Sequence, residues 1–144
     1  MKKLKSPPKH VLIVDDDEAV LDMFTGILRL AGHEVTSFSR FEAAKAYLSI
    51  AKPDVLISDV RLGAFNGLQL VVFAKLQRPE MIAIVLTGFD DPVLRTEAAH
   101  AGASYLVKPI DTERVLELVD VKPDTTRGTA RDQVRRISTP SSLH

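Results

Sequence analysis

Short apolar runs recur along this chain, each bounded by polar or turn-forming residues, with helical patterns in the intervals between them. The runs are Val11-Leu-Ile-Val, Val55-Leu-Ile-Ser, Ile82-Ala-Ile-Val-Leu and Tyr105-Leu-Val. Continuous apolar runs of this length are what strands buried on both faces require. They predict strands over His10–Val14, Asp54–Ser58, Met81–Leu86 and Ser104–Val107. Glu34–Phe38 alternates apolar and polar positions and predicts a further strand, nearer a sheet edge.

The intervals read as helices. Val20, Leu21, Phe24, Ile27 and Leu28 form one stripe at helical spacing, and Gly32 ends that helix. Ser39-Arg-Phe-Glu42 has the spacing of a capping box, with Phe41, Ala44 and Leu48 facing inward behind it. Pro53 punctuates the chain before the next strand, and a loop from Val60 to Gly67 precedes a helix over Leu68–Gln77 that Arg78-Pro79 ends. Asp91-Pro92 predicts an N-cap followed by proline at the first helical position, and Gly102 closes that helix. The last helix starts near Asp111-Thr112, buries Val115, Leu116 and Val119, and stops before Pro123. Alternating strands and helices with right-handed crossovers predict an α/β fold, a doubly wound parallel sheet of five strands covered on both faces.

Composition narrows the function classes. The chain has 144 residues, enough for one domain with a real core, and is 45% hydrophobic and 26% charged, as globular proteins are. Nineteen basic residues balance nineteen acidic ones, so overall charge draws it neither to nucleic acid nor to anionic membrane. The absence of cysteine removes disulfides, thiol catalysis and thiolate metal sites together. The basic start lacks a following apolar segment long enough for a signal peptide, and no run approaches the ~20 apolar residues of a membrane span. A cytoplasmic location is expected.

Residues 1–8 read as an N-terminal extension, 9–121 as the folded domain and 122–144 as a tail of different material. The tail is rich in Thr, Ser and Arg, and Arg127, Arg131, Arg135 and Arg136 outnumber Asp124 and Asp132. Disorder is the plain expectation for such a segment. Its basic character also fits a partner-binding or dimer-stabilising role, or the beginning of a linker.

The chemistry collects where the apolar runs end. Asp15-Asp16 follows the first strand, Asp59 the third, Thr87 the fourth, and Lys108-Pro109 the fifth, which contains Tyr105. Ligands of such sheets bind beyond the carboxyl ends of the strands, so these groups are expected to converge at one edge. Two carboxylates ~6 Å apart repel by roughly 3 kcal/mol at an effective dielectric of 20, which a cation would relieve. An all-oxygen carboxylate set without histidine or cysteine suits Mg²⁺ or Mn²⁺. A helix N-terminus accounts for Asp17 and Glu18 but not for a second strand ending in aspartate. Asp59 is the candidate nucleophile, since a carboxylate can form an aspartyl phosphate. Thr87 could donate to a phosphoryl oxygen, and Lys108 offers a point charge to the same oxygens.

Those residues, in that order and on those elements, resemble the receiver domain of two-component response regulators, of the chemotaxis-regulator type, over about residues 9–121. The family carries an acidic pair after the first strand, a phosphoacceptor aspartate after the third, Ser/Thr after the fourth, an aromatic in the fifth and Lys-Pro after it. The resemblance implies a flavodoxin-like three-layer sandwich with strand order 2-1-3-4-5. It implies that Asp16, Asp59 and the backbone carbonyl of Arg61 ligate Mg²⁺, with Asp15 acting through water, and that the Lys108–Pro109 bond is cis. It further implies phosphoryl transfer from a sensor histidine kinase or phosphotransfer protein to Asp59. Output would pass to a downstream protein, or to a second copy, through the face of the fourth helix, fifth strand and fifth helix. The chain would then be a signalling phosphoacceptor, catalysing only its own phosphorylation and dephosphorylation, with neither membrane nor nucleic acid as partner. Where the family often has Met-Pro after the phosphoacceptor, this chain has Leu62-Gly63, and bulky Arg61 and Phe89 flank the expected phosphoryl position.

The rival is a haloacid-dehalogenase-like, Mg²⁺-dependent phosphohydrolase, whose Asp-x-Asp motif could be read at Asp15-Asp16-Asp17. Glu18 then stands where Thr or Val is usual, and Asp59 has no role.

Overall fold

Five strands pair in parallel in the order Glu34–Phe38, His10–Val14, Val55–Asp59, Ile82–Thr87 and Ala103–Val107, with helices filling every crossover. In chain order the elements are β1 (His10–Val14), α1 (Glu18–Leu30), β2 (Glu34–Phe38), α2 (Phe41–Ile50) and β3 (Val55–Asp59), then β4 (Arg61–Leu62), β5 (Phe65–Asn66) and α3 (Gly67–Gln77). They continue with β6 (Ile82–Thr87), α4 (Pro92–Ala101), β7 (Ala103–Val107) and α5 (Thr112–Val119). The computed structural model describes residues 7–121. Most of the extension expected over 1–8, and all of the tail expected over 122–144, lie outside the described residues.

The sheet separates two cores, because successive residues of a strand face opposite sides. Leu12, Val14, Leu56 and Val85 pack against Phe41, Ala44, Leu48, Val71, Ala74 and Ala98 of α2, α3 and α4. Val11, Ile13, Val55, Ile57, Ile84 and Leu86 pack on the other side against Leu21, Phe24 and Leu28 of α1 and Val115 and Val119 of α5. The central strands β1 and β3 are buried along most of their length, as their unbroken apolar runs require, whereas the edge strand β7 is half-buried. Among the described residues no helix is long and apolar enough to cross a membrane.

Helix ends follow local chemistry with one exception. Asp17, Asp91 and Asp111 cap α1, α4 and α5 by accepting from Ala19 N, Val93 N and Glu113 N, and Gly102 closes α4 in the left-handed region at φ 82°. The capping box expected at Ser39-Arg-Phe-Glu42 is absent: α2 starts one residue later, from Arg40, with no side-chain cap. Packing sets that start, since Phe41 is buried and stacks on Phe65 at 4.4 Å between ring centroids. The capping box forms instead at Asn66 and Gln69, opening α3. The loop expected after β3 contains a small antiparallel hairpin, β4 with β5, turning at Gly63 with φ 63°.

Candidate functional site

Register brings the site together. Val14 pairs with Ser58, Asp59 with Leu86, and Thr87 with Val107, so the residues that end β1, β3, β6 and β7 lie level at the carboxyl edge. The chain order reverses between β1 and β3, which leaves a crevice at that edge.

Asp15 is fully buried there, and its carboxylate is fixed from two sides. Oδ1 accepts from the backbone N–H of Asp17 at 2.9 Å, and Oδ2 accepts from Lys108 Nζ at 3.2 Å. Asp59, also buried, presents Oδ1 to the same Nζ at 3.2 Å. Asp16 is exposed, yet carboxylate oxygens of Asp15, Asp16 and Asp59 all lie within 4.8 Å of one another. Among the described residues, Lys108 is the ammonium paired with this cluster, through Asp15 and Asp59.

The electrostatic consequences follow from that crowding. Burial first, and the Asp15 carboxylate second, hold the Asp59 carboxyl above its ordinary value of 3.8, against the pull of Lys108. Burial alone would lower the Lys108 ammonium, but the Asp59 and Asp15 carboxylates outweigh it and raise it above 10.5. The same contacts thus favour the charged form of the lysine, while burial and the neighbouring carboxylate disfavour the charged form of Asp59. A cluster of hard oxygen donors that a single lysine leaves under-neutralised fits a divalent cation of the Mg²⁺ or Ca²⁺ type.

The remaining site residues form a second group around the β6–α4 loop. Thr87 is buried, its Oγ1 donating to the carbonyl of Phe89 at 3.0 Å and accepting from Phe89 N at 3.2 Å. Tyr105 sends its hydroxyl to the same loop: it accepts from Asp91 N at 2.9 Å and lies 3.4 and 3.3 Å from the carbonyl oxygens of Phe89 and Asp91. Lys108 N donates to Thr87 O at 2.7 Å, tying the end of β7 to the end of β6, and the Lys108–Pro109 bond is cis. Arg61 stands exposed in β4, two residues beyond Asp59.

All the expected site residues but Arg61 thus gather as two sets, the carboxylates with Lys108 and the hydroxyls with the loop. Two contributors escaped the reading of the sequence. Asp17 holds Asp15 through its backbone N–H while capping α1. Gly67 is required by close approach: a Cβ there would run into the carbonyl oxygen of Asp59 and lie 2.6 Å from Ser58 Oγ. The Asn66-Gly67 pair was its signal.

Comparison with known proteins agrees with this geometry. Residues 11–120 match the response regulator receiver domain family. The response regulator protein FleR of Pseudomonas aeruginosa is 33% identical over 110 residues, which is 76% of this chain and 23% of FleR. The chain thus spans about a quarter of that curated relative's length. A CheY-like response regulator receiver domain protein from Methanospirillum hungatei JF-1 superposes with a TM-score of 0.72 at 32% identity, covering 76% of this chain and 89% of that one. The beryllofluoride-activated NtrC4 receiver domain dimer gives 0.71 at 27% identity, covering 76% and 92%. With its doubly wound sheet and its carboxylate edge, the chain belongs to the response regulator receiver domain family of two-component signalling.

Proposed function

We propose that Asp59 accepts a phosphoryl group from the phosphohistidine of a sensor histidine kinase or phosphotransfer protein, and that the resulting acyl phosphate switches an output surface. The observation that carries this reading is Lys108 Nζ, 3.2 Å from both the Asp15 and the Asp59 carboxylates at the edge where three carboxylates converge.

An Asp59 oxygen attacks phosphorus in line. As the O–P bond forms, the P–N bond to the donor imidazole breaks and its electron pair stays on the imidazole nitrogen. Little else is asked of the protein beyond positioning and charge. Asp16, Asp59 and the Arg61 backbone carbonyl would hold Mg²⁺, or Mn²⁺, with Asp15 acting through water. When bound, that ion neutralises the carboxylates and the equatorial phosphoryl oxygens. Lys108 supplies positive charge to the same oxygens. Thr87, on leaving the Phe89 carbonyl, donates to one of them, and Tyr105 follows the loop that Thr87 releases. The shifted loop alters the face of α4, β7 and α5, where a downstream protein or a second copy docks. The solved NtrC4 receiver is an activated dimer, which supports the second arrangement.

On this reading residues 9–121 are the receiver, 1–8 an extension and 122–144 a basic tail, and the protein works in the cytoplasm. It catalyses only its own phosphorylation and dephosphorylation. The phosphohydrolase reading is disfavoured because Asp17, the last aspartate of its Asp-x-Asp motif, is occupied in capping α1, accepting from Ala19 N at 2.9 Å. Acetyl phosphate with Mg²⁺ tests the proposal by intact mass. A persistent, Asp59-dependent gain of one phosphoryl group is expected, with no turnover of phosphate esters. Unmodified protein under those conditions would overturn it.

A further inference from the structure

Arg95 lies in the second turn of α4 and reaches back over the switch region. Its guanidinium carbon stands 4.6 Å from the centroid of the Tyr105 ring, and Nη2 pairs with Asp90 Oδ1 at 3.0 Å. The loop from Gly88 to Asp91 is therefore gripped at three places. Thr87 holds it at Phe89, Tyr105 holds it at Phe89 and Asp91, and Arg95 holds it at Asp90 while covering the tyrosine ring. The Thr87 hydroxyl has a single proton and here gives it to the Phe89 carbonyl. It cannot donate to a phosphoryl oxygen at the same time.

We propose that Arg95 is a positioning residue that sets the resting balance of this switch, favouring the arrangement in which Thr87 is committed to the loop. The inference rests on the proposed phosphorylation of Asp59. Arg95 touches neither Asp59 nor the metal-binding carboxylates, so it acts on the reaction only through Tyr105 and the loop. Arg95 is anchored in α4, and its guanidinium meets the tyrosine ring and Asp90, so both contacts tie the loop and the tyrosine to that helix. Both contacts are half-exposed, and an exposed cation–π contact with an exposed ion pair shifts a two-state balance by about three- to tenfold. By linkage, whatever favours the loop-committed state lowers affinity for a phosphoryl group by the same factor.

The test uses beryllofluoride with Mg²⁺ as the phosphoryl mimic and isotope-labelled tyrosine rings as the reporter, since the chain has only two tyrosines and no tryptophan. Arg95→Ala should bind beryllofluoride about three- to tenfold more tightly than wild type. Its ligand-free Tyr105 resonances should move toward those of the wild-type complex, with the unfolding midpoint little changed. Arg95→Lys keeps a cation over the ring and should restore the wild-type affinity. Asp90→Asn removes only the ion pair and should fall between. Equal or weaker binding by Arg95→Ala, or Tyr105 resonances that stay in place, would overturn the inference alone. Failure of wild type to bind the mimic would overturn the proposed function, and this inference with it.

Discussion

Thr87 and Tyr105 approach the same acceptor, the carbonyl oxygen of Phe89, at 3.0 and 3.4 Å. Thr87 ends β6, one residue beyond the partner of Asp59 in the sheet, and Tyr105 lies in the edge strand β7, so a single peptide unit joins the carboxyl edge of the sheet to its outer strand. If that carbonyl carries the signal, removing the Thr87 hydroxyl should cut the connection without preventing chemistry. Thr87→Ala is expected to be phosphorylated at Asp59 while Tyr105 ring resonances no longer respond. It should lose about 1 kcal/mol of stability, the ordinary worth of a hydrogen bond of this kind.

Asp59 should be a stability liability when no cation is bound. Its carboxyl is held above 3.8, so its favourable contribution is complete below 3.8 and is lost as pH rises through the folded value. Asp59→Asn should therefore be more stable than wild type at neutral pH. The gain should vanish on acidification below 3.8. Urea midpoints of the two proteins across that range provide the measurement. Mg²⁺ should reverse the order, raising the wild-type melting temperature by mass action and leaving the variant behind.

His33 imposes the opposite dependence at the far end of the sheet. Its Nδ1 accepts from the backbone N–H of Lys9 at 3.1 Å, and burial, opposed by Asp120, lowers its pKa below 6.5. The contribution of the neutral ring is present above 6.5 and lost as pH falls through the lower folded value. Comparing His33→Asn with wild type at about pH 7.5 and about pH 5 should show a smaller loss of stability on acidification in the variant. Parallel losses would remove His33 from the account.

Gly67 is where α3 meets the end of β3, and the prediction there is steric. A methyl group at this position collides with the Asp59 carbonyl, so either α3 or the end of β3 must move. Gly67→Ala should cost about 2–4 kcal/mol in chemical denaturation. Phosphorylation of Asp59 should fall with it, because the displaced strand end carries the proposed phosphoacceptor.

The lifetime of phospho-Asp59 should depend on Arg61 and Phe89, two exposed bulky residues expected from the sequence to flank the phosphoryl position. Water must reach phosphorus opposite Asp59, past Arg61 and Phe89, and an arginine can also hold a phosphoryl oxygen through a charge-assisted hydrogen bond. Arg61→Asn or Phe89→Glu should shorten the lifetime, measured as phosphate release from purified phosphoprotein. Slower or unchanged release in both would show that the gate lies elsewhere.

The strands and their chemical ends were legible in the residues alone. Apolar runs mark strands buried on both faces, and parallel pairing carries whatever follows each run to a common edge, which is how Asp15, Asp59, Thr87 and Lys108 could be placed together. The caps at Asp17, Asp91, Asp111 and Gly102 were legible for a different reason: a cap is made between near neighbours in sequence. What tertiary structure decided concerns groups far apart along the chain. Ser39 had the right spacing, but the burial of Phe41 and its stacking on Phe65 set where α2 begins. The need for glycine at 67 depends on where Asp59 places its carbonyl, and the hold of Arg95 on Tyr105 depends on how α4 lies along β7. Lys9 shows the same limit, donating to the carbonyls of Val119, the last residue of α5, and of Val121 beyond it. Local pattern determines which residues arrive at the edge of the sheet, because strand burial and capping are short-range. Which partner each side chain then takes is settled by packing between elements, where no periodicity in the sequence records the distance.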